Sequence, residues 1–420
     1  MAEQSFHRLS REERLALVAA RAKLTAEEQA LLSKEGPLDL ATADRMIENV
    51  IGTAALPLGI ATDFRVNGRD LLVPMALEEP SVVAGASNAA KLALPQGFTC
   101  SADEPIMIGQ VQLIKVPDVI KAQDAIAANT AKIIDLCNQQ DSTLVKFGGG
   151  AKEIRCRAVP SPSGPMLIVA LHIDVRDAMG ANAVNTMAER VSPLLEELTG
   201  GQARLRIISN LADRRKARAQ AVWTKAALEK SVKGAFSGEE VVQRILDAYH
   251  FALADSHRCA THNKGVMNGI DAVAIACGQD FRALEAGAHA YAARGAYAPL
   301  THYAKNAAGD LVGSIELPLA VATIGGSTRT NPVARICLKI LNPSSAQELA
   351  QTMAAVGLAQ NFAALRALAT EGISRGHLRL HACNIAIAAG ATGPAIDAVA
   401  ARMAEEGNIS HGRAKELLGP

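Results

Sequence analysis

Between residues 106 and 210 the hydrophobic pattern switches repeatedly between a period of two and a period near 3.6, and this alternation constrains the fold more than any other stretch. "IMIGQVQLIKV" reads as a strand and residues 118–138 as a helix. "EIRCRAV" and "MLIVALHIDV" read as strands, residues 180–199 as a helix, and "ARLRIIS" as a strand. The order β-α-β-β-α-β predicts an antiparallel sheet backed by two helices, the ferredoxin-like arrangement. A stretch of this length can carry its own core, so it reads as a domain, 106–210, inserted into a larger one.

The flanks supply that larger part, 1–105 and 211–372, which reads as mainly helical. Helical periods run over 10–34 and 39–51. "FRV" and "RDLLVPMAL" flank Asn67-Gly68, a two-residue hairpin signal. The second strand runs into "EEPSVVAGAS", where Pro80 suits a first helical position and places Glu78 and Glu79 at a strand-to-helix junction. Residues 211–255, including "DRRKARAQAVWTKAALEK", read as helical. A helix (281–294), a strand ("LVGSIELPLAV"), a glycine turn ("TIGGSTRTNP") and a helix (344–371) follow. The fold class is therefore α+β, with two more helical patterns in a tail, 373–420, behind Gly372 and Gly376.

Composition removes several function classes. Net charge is +1 and aromatic residues make up 3%, which argues against a polyanion partner or a base-stacking surface, so no nucleic acid is expected. No window holds 18 consecutive apolar residues, and the N-terminus lacks the pattern of a signal peptide, so a soluble cytoplasmic protein without a membrane span is expected. The seven cysteines are scattered without a CxxC pair and read as reduced, buried thiols. His377 and His381 stand four apart with no acid or thiol completing a zinc pattern, so no metal is expected.

Several stretches carry candidate chemistry, each with a bland alternative. In "VRDAMGANAVNTMAERV" a strand ends at Asp177, Gly180 follows and a helix begins. Such a junction aims N–H groups at an anion such as a diphosphate; the alternative is a cap and a tight turn. In "QQDSTLVKFGGGAKE", Asp141 and the glycines 148–150 allow a ligand close to the backbone or form a flexible loop. Glu78 and Glu79 suit a helix start, or one of them a general acid. Lys264 lies in "THNKGVMNGID", a polar turn with two glycines, and could meet Asp280 only through the fold. Asp280 itself reads as an N-cap. His377 is structural, or a proton donor near neutrality.

"ENVIGT", "EEPSVVAGAS", "DVRDAMGANAVNTMAE", "THNKGVMNGID" and "ATEGISRGHLRLHACN" occur in the order seen in hydroxymethylglutaryl-CoA reductases. The chain resembles their soluble class II, bacterial type from about residue 6 to 415. The resemblance implies interconversion of hydroxymethylglutaryl-CoA and mevalonate plus CoA by two hydride transfers through mevaldyl-CoA and mevaldehyde. It implies that Lys264 is the cation facing the carbonyl oxygen, that Glu79 supplies the proton, that Asp280 links the two, and that His377 protonates the departing CoA thiolate. It places Ser81, Arg258, Asn268, Asn210 and Gln360 at the substrate, with Arg258 holding a carboxylate.

The same resemblance assigns the dinucleotide to the ferredoxin-like unit, with Asp177, Met179, Gly180 and Asn182 near the diphosphate and Asp141 at the adenosine ribose. A carboxylate there favours NAD(H) over NADP(H). It further implies a homodimer with the active site at the subunit interface, higher assemblies of dimers being possible, and a C-terminal flap, 373–420, that brings His377 over the site. One departure is Ala382-Cys383-Asn384, where relatives usually place a basic residue. The alternatives are an NADPH-dependent biosynthetic form of the same enzyme and a non-catalytic CoA-binding paralogue; the second is disfavoured because Glu79, Lys264, Asp280 and His377 are all present.

Overall fold

A computed structural model describes residues 5–370 and 382–419. Three short helices open the chain: α1 (Arg11–Ala22), α2 (Ala26–Leu32) and α3 (Leu40–Met46). Ser10 with Glu13, and Thr25 with Glu28, form capping boxes that start the first two. The helical period expected over 10–34 is thus broken at Lys23, which adopts a left-handed conformation. After α3 the "ENVIG" segment is irregular, with Asn49 at φ 58°, and largely exposed, Ile51 fully so.

A six-stranded sheet follows, built from β1 (Leu58–Val66), β2 (Arg69–Ala76), β3 (Phe98–Ala102), β8 (Lys216–Trp223), β9 (Thr301–Lys305) and β10 (Leu311–Pro318). Its order is β2-β1-β3-β8-β10-β9. Asn67 and Gly68 both take positive φ, 48° and 81°, and close β1 onto β2 as the hairpin signal requires. Helix α4 (Val82–Leu92) begins two residues after Pro80, with Ser81 at its N-cap.

The expected strands and helices between 106 and 208 form a separate four-stranded sheet. Its members are β4 (Ile106–Ile114), β5 (Gly150–Val159), β6 (Met166–Asp174) and β7 (Gln202–Ile208), paired antiparallel in the order β5-β6-β4-β7. That is the ferredoxin-like order. The single helix expected at 118–138 is divided at Asn129 into α5 (Val119–Ala128) and α6 (Thr130–Asn138), and a one-turn α7 (Ser142–Lys146) follows. The long helix α8 (Ala181–Thr199) completes the backing layer.

The helical reading of 211–255 fails in its first half. Lys216–Trp223 is the central strand β8, and only then come α9 (Lys225–Ser231) and α10 (Gly238–Ala254). The alternation was present: Ala217, Ala219, Ala221 and Trp223 are buried while the residues between them are not. Alanine's helical propensity masked it.

Helix α11 (Ser256–Ala276), α12 (Phe281–Ala292), α13 (Ser327–Thr330), α14 (Pro332–Leu341) and α15 (Ala346–Ala369) complete the large unit. From Thr352 to Phe362 every residue of α15 is buried, so this helix is the axis of the core rather than a surface element. The Trp223 ring stacks on Phe362 at 3.8 Å and 4°, and its indole N–H donates to the Ala89 carbonyl at 3.0 Å. In the C-terminal part, helices Pro394–Glu406 and His411–Leu418 pack on a small core of their own around Met403. No helix among the described residues is long and apolar enough to cross a membrane.

Candidate active site

The stretch read as a polar turn, "THNKGVMNGID", lies inside the 21-residue α11. Asp255 caps this helix, accepting from the Arg258 N–H at 2.7 Å. The glycine that suggested a turn serves helix packing. A Cβ on Gly269 would stand 2.9 Å from the Gln360 Cβ and 3.0 Å from the Val356 carbonyl, so α15 approaches α11 only because nothing is there.

A helical period then places Lys264 and Asn268, four apart, on one face. The Lys264 ammonium donates to Glu79 Oε2 at 2.8 Å, and the Asn268 amide donates to the same oxygen at 3.3 Å. Glu79 comes from the short connection between β2 and α4. Two further sequence candidates lie on the helices beside them. Ser81 is held at φ 76°, and its Oγ is buried without a hydrogen-bond partner. Gln360, on α15, also has an unpartnered buried Oε1, and that atom would lie 3.5 Å from a Cβ on Gly85 of α4. Glu79, Ser81, Lys264, Asn268 and Gln360 therefore converge from three helices and one loop. Two orphaned buried oxygens beside a cation and a carboxylate are a polar site built for a ligand.

Arg258 sits in the first turn of α11, with its guanidinium in no ion pair among the described residues. Burial pushes its pKa down. Behind it, the neutral side of the helix is tied by a network that sequence reasoning missed. His262 Nε2 meets Thr301 Oγ1 at 2.6 Å, and Thr301 and Tyr303 both donate to Asn361 Oδ1, at 3.2 and 2.9 Å. Asn361 returns a bond to the His262 carbonyl at 3.1 Å. Burial, with a smaller effect from the Arg258 charge, pushes the His262 pKa down to about 3, so its imidazole is neutral. The available signal was "QNF", two adjacent amides inside an otherwise apolar helix.

No bond joins Lys264 to Asp280 among the described residues of one chain. Asp280 caps α12 through the Ala283 N–H at 3.2 Å and pairs with Arg282 at 2.9 Å. The cause is the helix: from Lys264 to the end of α11 is about 18 Å at the standard helical rise. Asn210 packs against α12, where its carbonyl would stand 2.8 Å from a Cβ on Gly287. His377, Gly372 and Gly376 lie outside the described residues.

The dinucleotide candidates gather at one end of the four-stranded sheet. Asp141 caps α7, accepting from the Leu144 N–H at 2.8 Å. The glycine triplet is needed for protein packing: a Cβ on Gly149 would come within 2.7 Å of the Asp174 carbonyl, and one on Gly150 within 2.4 Å of Asn138 Oδ1. Arg176 bridges that loop to the next, donating to the Gly148 carbonyl at 2.8 Å and pairing with Asp174 at 2.8 Å. Gly180 and Asn182 stand at the start of α8, which has no side-chain cap. Asp177 ties this end to the large unit: its Oδ1 accepts the Ala346 N–H of α15 at 2.7 Å.

This chain is similar to proteins of known family along nearly its whole length. Residues 10–382 match the family model described as hydroxymethylglutaryl-coenzyme A reductase. A 3-hydroxy-3-methylglutaryl-coenzyme A reductase of Archaeoglobus fulgidus is 57% identical over 415 residues, covering 98% of this chain and 93% of that one. A probable enzyme of the same name from Borreliella burgdorferi is 35% identical over 343 residues, covering 80% and 76%. Among solved structures, the class II reductase of Streptococcus pneumoniae bound to NADPH in open conformations superposes with a TM-score of 0.82 at 40% identity, covering 98% of this chain and 99% of that one.

Proposed function

The chain belongs to the hydroxymethylglutaryl-coenzyme A reductase family, and on that premise we propose that Glu79 and Lys264 catalyse the interconversion of hydroxymethylglutaryl-CoA and mevalonate. The reduction consumes two reduced nicotinamides and two protons and releases CoA. The observation that carries the reading is the Lys264–Glu79 contact at 2.8 Å, with Asn268 on the same oxygen. An ammonium has three donors. One reaches Glu79, which leaves others for the oxygen that turns negative as hydride arrives at its carbon. Glu79, sharing that cation, is placed to deliver a proton to the same oxygen and to take it back in the oxidative direction. Ser81, Asn268 and Gln360 are polar groups around the hydroxymethylglutaryl moiety, and Arg258 is the group for its carboxylate. His377 would protonate the leaving thiolate.

NAD(H) is the preferred cofactor in this reading, with Asp141 accepting from the ribose hydroxyls and repelling a 2′-phosphate. The residues fit a dinucleotide: the start of α8 carries no side-chain cap and offers its N–H groups to a diphosphate. NADPH use is the second reading, favoured by the pneumococcal relative, whose structure holds that cofactor.

A homodimer accounts for Asp280. Within one protomer Asp280 stands near the dinucleotide end, because Gln279 accepts the Ala322 N–H at 2.7 Å and Thr323 donates to the Asp177 carbonyl at 3.0 Å. Lys264 and Glu79 stand about 18 Å back along α11 from its C-terminal end. Asp280 of the partner subunit can reach Lys264 if the site forms between two copies. The exposed apolar side chains of Ile47, Ile51, Leu56 and Leu58 suit such an interface.

The test follows nicotinamide absorbance with hydroxymethylglutaryl-CoA, supplying NADH or NADPH in parallel, and with mevalonate, CoA and the oxidised cofactors. Turnover with either cofactor supports the reaction. Its absence with both, in both directions, sinks it. Equal efficiency with NADH and NADPH removes the role given to Asp141.

A further inference from the structure

Arg215 stands just before β8 and is 5% exposed, an unusual place for a guanidinium. It donates to three backbone carbonyls: Nη1 to Ala178 at 3.0 Å and to Met179 at 3.3 Å, and Nη2 to Val321 at 2.5 Å. No ion pair holds it among the described residues; Asp174 and Asp177 are the acids that face it. Burial pushes its pKa down to about 10, which leaves it charged at neutral pH. Its own backbone is fixed, the N–H donating to Ala212 at 2.9 Å and the carbonyl accepting from Leu319 at 3.1 Å. Asp177 adds a second tie, through Ala346 and Thr323. The loop between β6 and α8 is therefore pinned to the large unit from both sides.

Those carbonyl bonds have a consequence on the opposite face of the loop. In a trans peptide the C=O and N–H point in opposite directions. The Ala178 carbonyl shares its peptide with the Met179 N–H, and the Met179 carbonyl with the Gly180 N–H. Turning both carbonyls onto Arg215 turns both N–H groups away from it. Neither donates to a protein acceptor among the described residues, nor do the Ala181 and Asn182 N–H groups of the first turn of α8. Gly180 is required in this arrangement: its φ is 102°, and a Cβ there would stand 2.5 Å from Val175 Cγ1.

We propose that Arg215 is a positioning residue for the dinucleotide, holding the Ala178 and Met179 carbonyls so that the Met179 and Gly180 N–H groups join the first turn of α8 in receiving the diphosphate. The proposal deepens the cofactor reading above and rests on it. Arg215 itself does not touch the ligand. Its planar fork serves two adjacent carbonyls and a third across the gap between the units, which a lysine ammonium cannot reproduce with the same geometry. Donors fixed before binding spare the loop an ordering cost when the diphosphate arrives.

The test combines amide exchange with affinity, on the full chain. In the wild type, saturating NADH slows exchange at Met179, Gly180, Ala181 and Asn182. In Arg215→Lys and Arg215→Met, the Kd for NADH, read from nicotinamide fluorescence, rises by about tenfold or more while that for hydroxymethylglutaryl-CoA changes by less than about twofold. Protection at Ala181 and Asn182 without Met179 and Gly180 overturns the proposal, and so does a folded Arg215 variant with wild-type NADH affinity. The exchange arm needs no variant, so the proposal is decided even if both substitutions prevent folding. Protection nowhere between Asp177 and Asn182 contradicts instead the cofactor site on which it rests.

Discussion

Replacing Lys264 by alanine separates catalysis from stability, because the structure assigns the lysine little of the second. Its side chain is 59% exposed and that of Glu79 35%, so their ion pair is screened by solvent. Pairs of this kind contribute about 0–1 kcal/mol. For a chain of this size that corresponds to a shift in Tm of no more than about 2–4 °C. Catalysis depends on the same ammonium quite differently. A cation about 4 Å from a developing oxyanion, at an effective dielectric constant near 20, is worth about 4 kcal/mol. That energy corresponds to roughly a thousandfold in rate. The assay is stopped-flow absorbance of NADH with hydroxymethylglutaryl-CoA, together with a thermal melt of the same sample. Lys264→Ala is expected to lose about three decades in kcat with a nearly unchanged melt. A folded variant within about tenfold of wild type would refute the reasoning, since the charge would then have no part in the transition state.

Two further predictions concern other carboxylates. Asp141→Ser, which keeps a cap for α7 and removes the charge, is expected to shift the ratio of kcat/KM for NADH over NADPH toward NADPH by about tenfold or more; an unmoved ratio refutes its role in cofactor choice. Asp271, on α11, has its carboxyl pushed up to about 8 by burial, with a hydrogen bond and the negative charge of Glu285 adding to the effect. Its unfolded value is lower, so the stability it confers is full below that value and is lost as pH rises through about 8. Asp271→Asn keeps a donor for Glu285 without titrating. Its Tm should therefore gain on the wild type progressively from pH 5 to 8, and parallel Tm curves would contradict this.

The parts of the molecule that follow from local pattern were readable in the chain. The two-residue turn at Asn67-Gly68 and the strands and helices from 106 to 208 have periods that survive in the structure. Where two signals conflicted, the reading went astray. Alternating alanines in β8 look helical by composition and extended by period, and the sheet decided for the second. In α11, Gly265, Gly269 and several amides resemble a turn, yet the glycine at 269 answers to helix α15, remote in sequence, at Val356 and Gln360. The convergence of Lys264, Asn268 and Glu79 was expected only from resemblance, since nothing local relates residue 79 to residue 264. The separation of Asp280 from Lys264 could not be read at all without knowing that α11 runs unbroken to Ala276. Arg215 was hidden for the reason β8 was, because it lies at the head of the misread strand.

The central claim is that Glu79 and Lys264 of one copy act with Asp280 of another. Mixing subunits tests it most directly. Lys264→Ala and Asp280→Ala are each expected to be inactive as purified proteins. Unfolded and refolded together in equal amounts, they form heterodimers in which one of the two sites is complete. Activity should then return to about a quarter of the wild-type value, the statistical share of intact sites in randomly paired dimers. A mixture that pairs freely and stays inactive would contradict the shared site.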